Sequence, residues 1–246
     1  MRRQVRLRPV RPAGWWFDAL LLAAAAALTL ALANGLLLDV DLAVRDWVND
    51  HRPPAAYWVA RVVNFLGQGG QVLLPVALLL AAAVARRARS VRPVLVVAAA
   101  VVLTYLVVGV LKLWTDRAAP SSPTLPPEQS VLIFNPNLPP GEYDLSYPSG
   151  HVANAVVWYG VFALLLTALT AGRLRRPVSL AIRVLPPVIV LITTTYLNFH
   201  WLTDGIVALL VGVVLDRLIA RVPWDDVPLP ALPRGLDRPG LFTWER

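Results

Sequence analysis

The chain has 246 residues, 57% of them hydrophobic and only 15% charged, where a soluble domain carries about a quarter charged residues. Its net charge of +8 does not mark a nucleic-acid binder, because the arginines stand in short runs beside apolar segments, where they set topology and meet anionic lipid heads. The absence of cysteine excludes disulfides, thiolate metal sites and cysteine nucleophiles.

A span of about 20 mostly apolar residues crosses a bilayer as a helix, and the sequence offers six such segments. Residues 1–15 form a basic N-terminus with Arg2, Arg3, Arg6, Arg8 and Arg11. The first span is 19–38, longer than the apolar stretch of a cleaved signal and therefore read as a retained anchor. Between it and the next, residues 41–49 have the pattern of a short helix lying in the membrane interface. The second span is 64–85, its start blurred by Gly67, Gly69 and Gly70. The third, 93–111, ends at Lys112, the one lysine in a chain that otherwise uses arginine. A long, proline-punctuated loop over 115–147 follows, and structureless loops of that length are usually functional. The fourth span, 152–172, begins just after His151. The fifth is 178–199, and the sixth, 201–221, is the most polar, since it contains Asp204 and Asp216. A proline-rich tail occupies 222–246. The expectation is an all-α, six-transmembrane helical bundle over 16–221.

Arginines set its orientation. Arg86, Arg87, Arg89 and Arg92 lie between the second and third spans, and Arg173, Arg175 and Arg176 between the fourth and fifth. The remaining connections are rich in acids, among them Asp39, Asp41, Asp46, Asp50, Asp116, Glu128, Glu142 and Asp144. The positive-inside rule then places both termini in the cytoplasm of a multi-pass plasma-membrane protein.

On this map the residues able to do chemistry gather at the extracytoplasmic face. Lys112 ends the third span, Pro148-Ser149-Gly150-His151 opens the fourth, and His200 and Asp204 lie where the fifth meets the sixth. Each has a structural role open to it: His200 as an interfacial residue, Asp204 as a carboxylate at a helix N-terminus, Ser149 as an N-cap, Lys112 as a snorkelling anchor. Their coincidence at one face favours a site. His200 and Asp204 are four residues apart and share a helix face, so the carboxylate can fix the imidazole tautomer and leave the other ring nitrogen free to attack phosphorus. Ser149 and Gly150 offer backbone N–H groups at a helix N-terminus to a phosphate. His151 can protonate a leaving oxygen, and Lys112 can neutralise phosphate charge.

These residues resemble the three motifs of the phosphatidic acid phosphatase type 2 superfamily of membrane lipid phosphatases: Lys-x6-Arg-Pro, Pro-Ser-Gly-His and Ser-Arg-x5-His-x3-Asp. The second motif is intact at Pro148-Ser149-Gly150-His151, the third keeps His200 and Asp204, and the first keeps Lys112 and Pro120. The resemblance covers about 93–215. It implies a metal-independent, cofactor-free phosphatase acting on a lipid phosphate, with His200 as nucleophile, His151 as acid and base, and Asp204 as orienting group. Two departures stand out. The first-motif arginine falls on Ala119, and the third-motif Ser-Arg pair on Thr193-Thr194. Arg117 is the candidate to reach in from the loop and replace one lost clamp, its alternative being a solvated loop cation paired with Asp116; Thr194, Asn198 and Asn154 are candidate neutral donors. The leading expectation is hydrolysis of a lipid phosphomonoester or diphosphate, such as a polyprenyl or glycerolipid phosphate, at the outer leaflet through a phosphohistidine. A lipid head-group phosphotransferase using the same His-His-Asp set, and a non-catalytic lipid-phosphate-binding homologue, are the alternatives.

Overall fold

In hydrocarbon every backbone polar group must find its partner within the chain, so long apolar runs fold as helices. The computed structural model describes residues 3–5, 12, 14–138, 144–170, 172–237 and 242–244. Among them the helices are α1 (Trp15–Ala33), α2 (Leu38–Asp50), α3 (Pro54–Val63), α4 (Leu74–Ala88), α5 (Arg92–Thr115), the short α6 (Pro127–Ser130), α7 (Gly150–Leu169), α8 (Arg176–Tyr196) and α9 (Leu202–Arg221). Five segments are long and apolar enough to cross a membrane: α1, Gly69–Ala88, α5, α7 and α8. The expected sixth, α9, is equally long, but Asp204, Asp216, Arg217 and Arg221 keep it out of that set. Among the described residues the only strands are a three-residue antiparallel pair, β1 (Arg3–Val5) and β2 (Phe242–Trp244), near the two ends of the chain.

The burial of α7 makes it the centre of the bundle: 67% of its apolar window is inside, against 17–28% for the other four. It packs against α4, α5, α8 and α9, while α1 leans on α9. Close approach is possible because small residues line these contacts, as where Gly212 meets Val156.

Two boundaries differ from the sequence reading. The first helix ends at Ala33, and the chain turns through Gly35 and Leu37, both in the left-handed region, into α2. The start of the second span is broken into a 3₁₀ turn (Asn64–Gly67) and a single π turn (Gly69–Leu73) before α4 begins. That break, at the three glycines, places backbone beside the N-terminus of α7.

The two ends of the bundle differ in chemistry. At one end lie the last turn of α4 with Arg86 and Arg87, the start of α5 with Arg92, and the end of α9, where Arg217 holds Asp18 of α1 at 2.7 Å and Arg221 joins it. Arg92 also donates to the carbonyls of Val227 and Asp237, pinning the tail there. At the other end the C-terminus of α5, the N-terminus of α7 and the α8–α9 turn converge under α2 and α3.

Candidate active site

A cavity of about 430 Å³ opens at this second end, lined by Lys112, Gly150, His151, Asn154 and His200 together with the Gly67–Gly70 segment and Thr104, Tyr105, Val108, Gly109 and Leu145. The His151 and His200 rings lie 5.7 Å apart, edge to face. Two polar atoms on its wall, His151 Nε2 and Thr104 Oγ1, are buried without a hydrogen-bond partner. Buried polar groups are normally satisfied, and these two share the wall of one cavity.

His200 sits in the turn between α8 and α9. Its Nδ1 is 3.2 Å from Ser146 Oγ, and the Ser146 hydroxyl donates to Asp204 Oδ2 at 2.6 Å. Since that hydroxyl has one proton and gives it to the carboxylate, it accepts from His200, which places the imidazole proton on Nδ1. The direct His200 Nδ1 to Asp204 Oδ2 separation is 3.6 Å, too long for a hydrogen bond. Ser146 is therefore the link between them. Nε2 is left as the uncommitted ring nitrogen. Burial pushes the His200 imidazole below its ordinary pKa although Asp204 pulls it up, which favours the neutral ring.

Asp204 is fully buried and accepts from Ser146, from the Trp201 backbone N–H at 3.0 Å and from Arg117 Nη1 at 2.6 Å. Lys112 points its ammonium at the carbonyls of Leu145 and Ser146 on the cavity wall.

Two expectations need correction. Arg117 does not reach the cavity. Its guanidinium is wholly buried and taken by Val131 O, Thr203 Oγ1, Asp204 and Asp41 Oδ2, the last at 2.7 Å, and it lies over the Trp201 ring. Nor is Asp116 its partner. Ser149 is the N-cap of α7, its Oγ accepting from Val152 N at 3.3 Å, but its own N–H is donated to the Asp204 carbonyl at 3.1 Å. The free amides of the first turn are thus those of Gly150 and His151, which have no intrahelical acceptor. Of the neutral donors, Asn154 lines the cavity, whereas the Thr194 hydroxyl turns back to Val190 O and Asn198 bonds Asn49. Arg61 of α3, exposed, lies over the Phe199 ring, which is 6.3 Å from His151.

Sequence reasoning missed Ser146 and Asp41. In the sequence Asp41 reads as one acid among several in the first connection, at the start of the short interfacial helix. Its spacing held a signal, because Asp41 and Val48 are seven residues apart and share the buried face of α2.

The family model of the PAP2 superfamily matches residues 93–228, more than half of the chain. No curated protein matches it. Among solved structures it is similar to the first transmembrane PAP2 type phosphatidylglycerolphosphate phosphatase from Bacillus subtilis, with 24% identity over 83% of this chain and 94% of that one and a TM-score of 0.69. This likeness is one of fold.

Proposed function

The chain belongs to the PAP2 superfamily, and from that premise we propose that it is a plasma-membrane phosphatase that hydrolyses a lipid phosphomonoester or diphosphate at the outer leaflet. The observation that carries the reading is the His200 imidazole, fixed through Ser146 with its proton on Nδ1 and set 5.7 Å from His151 across a cavity. In the first step His200 Nε2 attacks phosphorus, the bond from phosphorus to the lipid oxygen breaks, and a protonated His151 gives that oxygen a proton and is left neutral. In the second, His151 takes a proton from water, water oxygen bonds to phosphorus, and the N–P bond breaks to release phosphate. The amides of Gly150 and His151, at the positive end of the α7 dipole, and the Lys112 ammonium hold the phosphate oxygens. The proposed reaction uses only protein side chains and backbone amides, and membership of the family supports that reading. α9 serves as a sixth, protein-enclosed span, so both termini lie in the cytoplasm.

A second reading has its own support. Lys112 is the one lysine or arginine among the described residues lining the cavity, and a diester carries less charge than a monoester, so a phosphotransferase moving a head group between lipids needs fewer cations. Phosphate release from a panel of lipid monoester phosphates, with and without an acceptor lipid alcohol and with a metal chelator throughout, separates the two. The expectation is inorganic phosphate without acceptor, and none from His200→Ala. Product formed only with acceptor moves the assignment to a transferase. Wild-type-like phosphate release by His200→Ala excludes the phosphohistidine route.

A further inference from the structure

Behind the cavity, and outside it, three buried side chains from three separate parts of the chain form a linear charge cluster. Arg117, just past α5, lies between Asp41 of α2, at 2.7 Å, and Asp204 of α9, at 2.6 Å, and all three side chains are completely enclosed. Asp41 also accepts from the N–H of Thr203 at 3.1 Å and from its hydroxyl at 2.5 Å, so every contact it makes is that of an acceptor. Thr203 Oγ1 in turn accepts from Arg117 at 2.8 Å. The contacts among Asp41, Thr203 and Arg117 close a ring, and Asp204 joins it through Arg117.

We infer that Asp41 and Arg117 are positioning residues that fix Asp204 and set the charge felt by His200. The inference rests on the phosphohistidine reading and extends it to α2, outside the matched family region. A lone guanidinium against a lone carboxylate would neutralise Asp204 and weaken its hold on the positive charge that develops on His200 as it is phosphorylated. Asp41 shares the guanidinium. The cluster then carries a net charge of minus one, directed through Ser146 at the imidazole. Geometry follows the same route, because a planar guanidinium held at both ends locks the Asp204 carboxylate plane. Buried charges of this kind are costly unless paired and hydrogen-bonded, and removing one partner leaves an uncompensated charge. The other charged or titratable neighbours of His200 are Lys112 on α5 and His151 on α7.

The test is a charge cycle: Asp41→Asn, Arg117→Gln and the double variant, in the full-length protein in detergent micelles. Two readouts are taken. One is kcat and KM for the monoester from the panel above. The other is independent of turnover: the pH midpoint of His200 carbethoxylation by diethyl pyrocarbonate, which reacts with neutral imidazole, followed by mass spectrometry. Asp41→Asn should lower the midpoint by about half a pH unit or more, as for one charge lost roughly 10 Å away in a medium of intermediate dielectric. It should reduce kcat about tenfold and leave KM within about twofold, since no substrate contact is lost. Arg117→Gln should raise the midpoint. The double variant restores a net charge of minus one, so its midpoint should return towards wild type and its kcat should exceed that of Arg117→Gln. A cluster that is only structural predicts the reverse order, with the double variant worst and the midpoints unmoved, and that result overturns the inference. If Arg117→Gln does not fold, Asp41→Asn decides alone, because an unmoved or raised midpoint is incompatible with the proposed role. Midpoints that shift as expected in a protein that hydrolyses no lipid phosphate support the clamp and remove the phosphatase reading.

Discussion

In the proposed mechanism the neutral form of His200 is the reactive one, and Ser146 fixes its tautomer. With burial holding the imidazole below its ordinary value, the acid limb of kcat/KM should lie below about pH 6.5, the usual histidine midpoint; as pH falls through the lowered pKa the ring protonates and attack stops. Ser146→Ala tests the tautomer. Without the hydroxyl, Nδ1–H faces a carboxylate 3.6 Å away, and the ring can place its proton on Nε2 instead. One hydrogen bond of this kind is worth about 1.5 kcal/mol, so kcat should drop roughly tenfold with KM little changed, and Ser146→Thr should retain most of the activity. A Ser146→Ala enzyme with unchanged kcat would mean that Asp204 acts on His200 directly. At this scale the sequence was legible where residues recur at fixed spacing: Lys112, His151 and His200 line one cavity, with Asp204 behind His200. It was not legible where contacts join distant segments. Ser146 stands two residues before the second motif with nothing to mark it, and Arg117 reads as a phosphate clamp or a partner of Asp116 because the carboxylates that take it are 76 and 87 residues away in sequence.

Among the elements, the break before α4 brings Gly67–Gly70 onto the cavity wall. Gly67 and Gly69 stand where no side chain fits: a Cβ at Gly67 would lie 2.6 Å from Val190 Cγ1 and 3.1 Å from His151 Cβ, and one at Gly69 would lie 2.6 Å from Asn154. Asn154 in turn is held by Gly150 O and by Trp158 Nε1 on α7. Gly69→Ala should therefore displace the Asn154 amide and the first turns of α7. Overpacking of this kind costs about 1–3 kcal/mol, and the shift should lower kcat/KM at least about tenfold while the far-ultraviolet circular dichroism stays helical. Wild-type turnover in Gly69→Ala would show that the glycine segment is a passive wall. The apolar runs foretold α5, α7 and α8 to within a few residues, because length and hydropathy decide a helix in lipid. The same measures do not register a 3₁₀ turn followed by a π turn, although the three glycines there blur the start of the span in the sequence. These measures also leave α9 out of the candidate spans. Its carboxylates look unsuited to a span until Arg117, Arg183 and the capping amides that satisfy them are in place.

Across the whole molecule, charge divides the bundle. The arginines that end α4, begin α5 and α8 and close α9 share one end, whereas Lys112, His151 and His200 share the other, beneath α2 and α3. Arginines near helix ends are retained on the cytoplasmic side, so the cavity should face the outside of the cell. The cysteine-free sequence makes this directly measurable. Ser121→Cys lies exposed in the loop after α5, at the cavity end; Asp226→Cys lies exposed just past α9, at the basic end. In intact cells a membrane-impermeant maleimide should label Ser121→Cys at once and Asp226→Cys only after permeabilisation. The two sites flank different ends of the same five spans and α9, so their labelling cannot agree if the bundle crosses the membrane as read. Equal labelling of both before permeabilisation would mean that α9 does not return the chain to the cytoplasm. Reversed labelling would turn the cavity to the cytoplasmic leaflet, leaving the chemistry of His200 intact but changing which pool of lipid phosphate it meets.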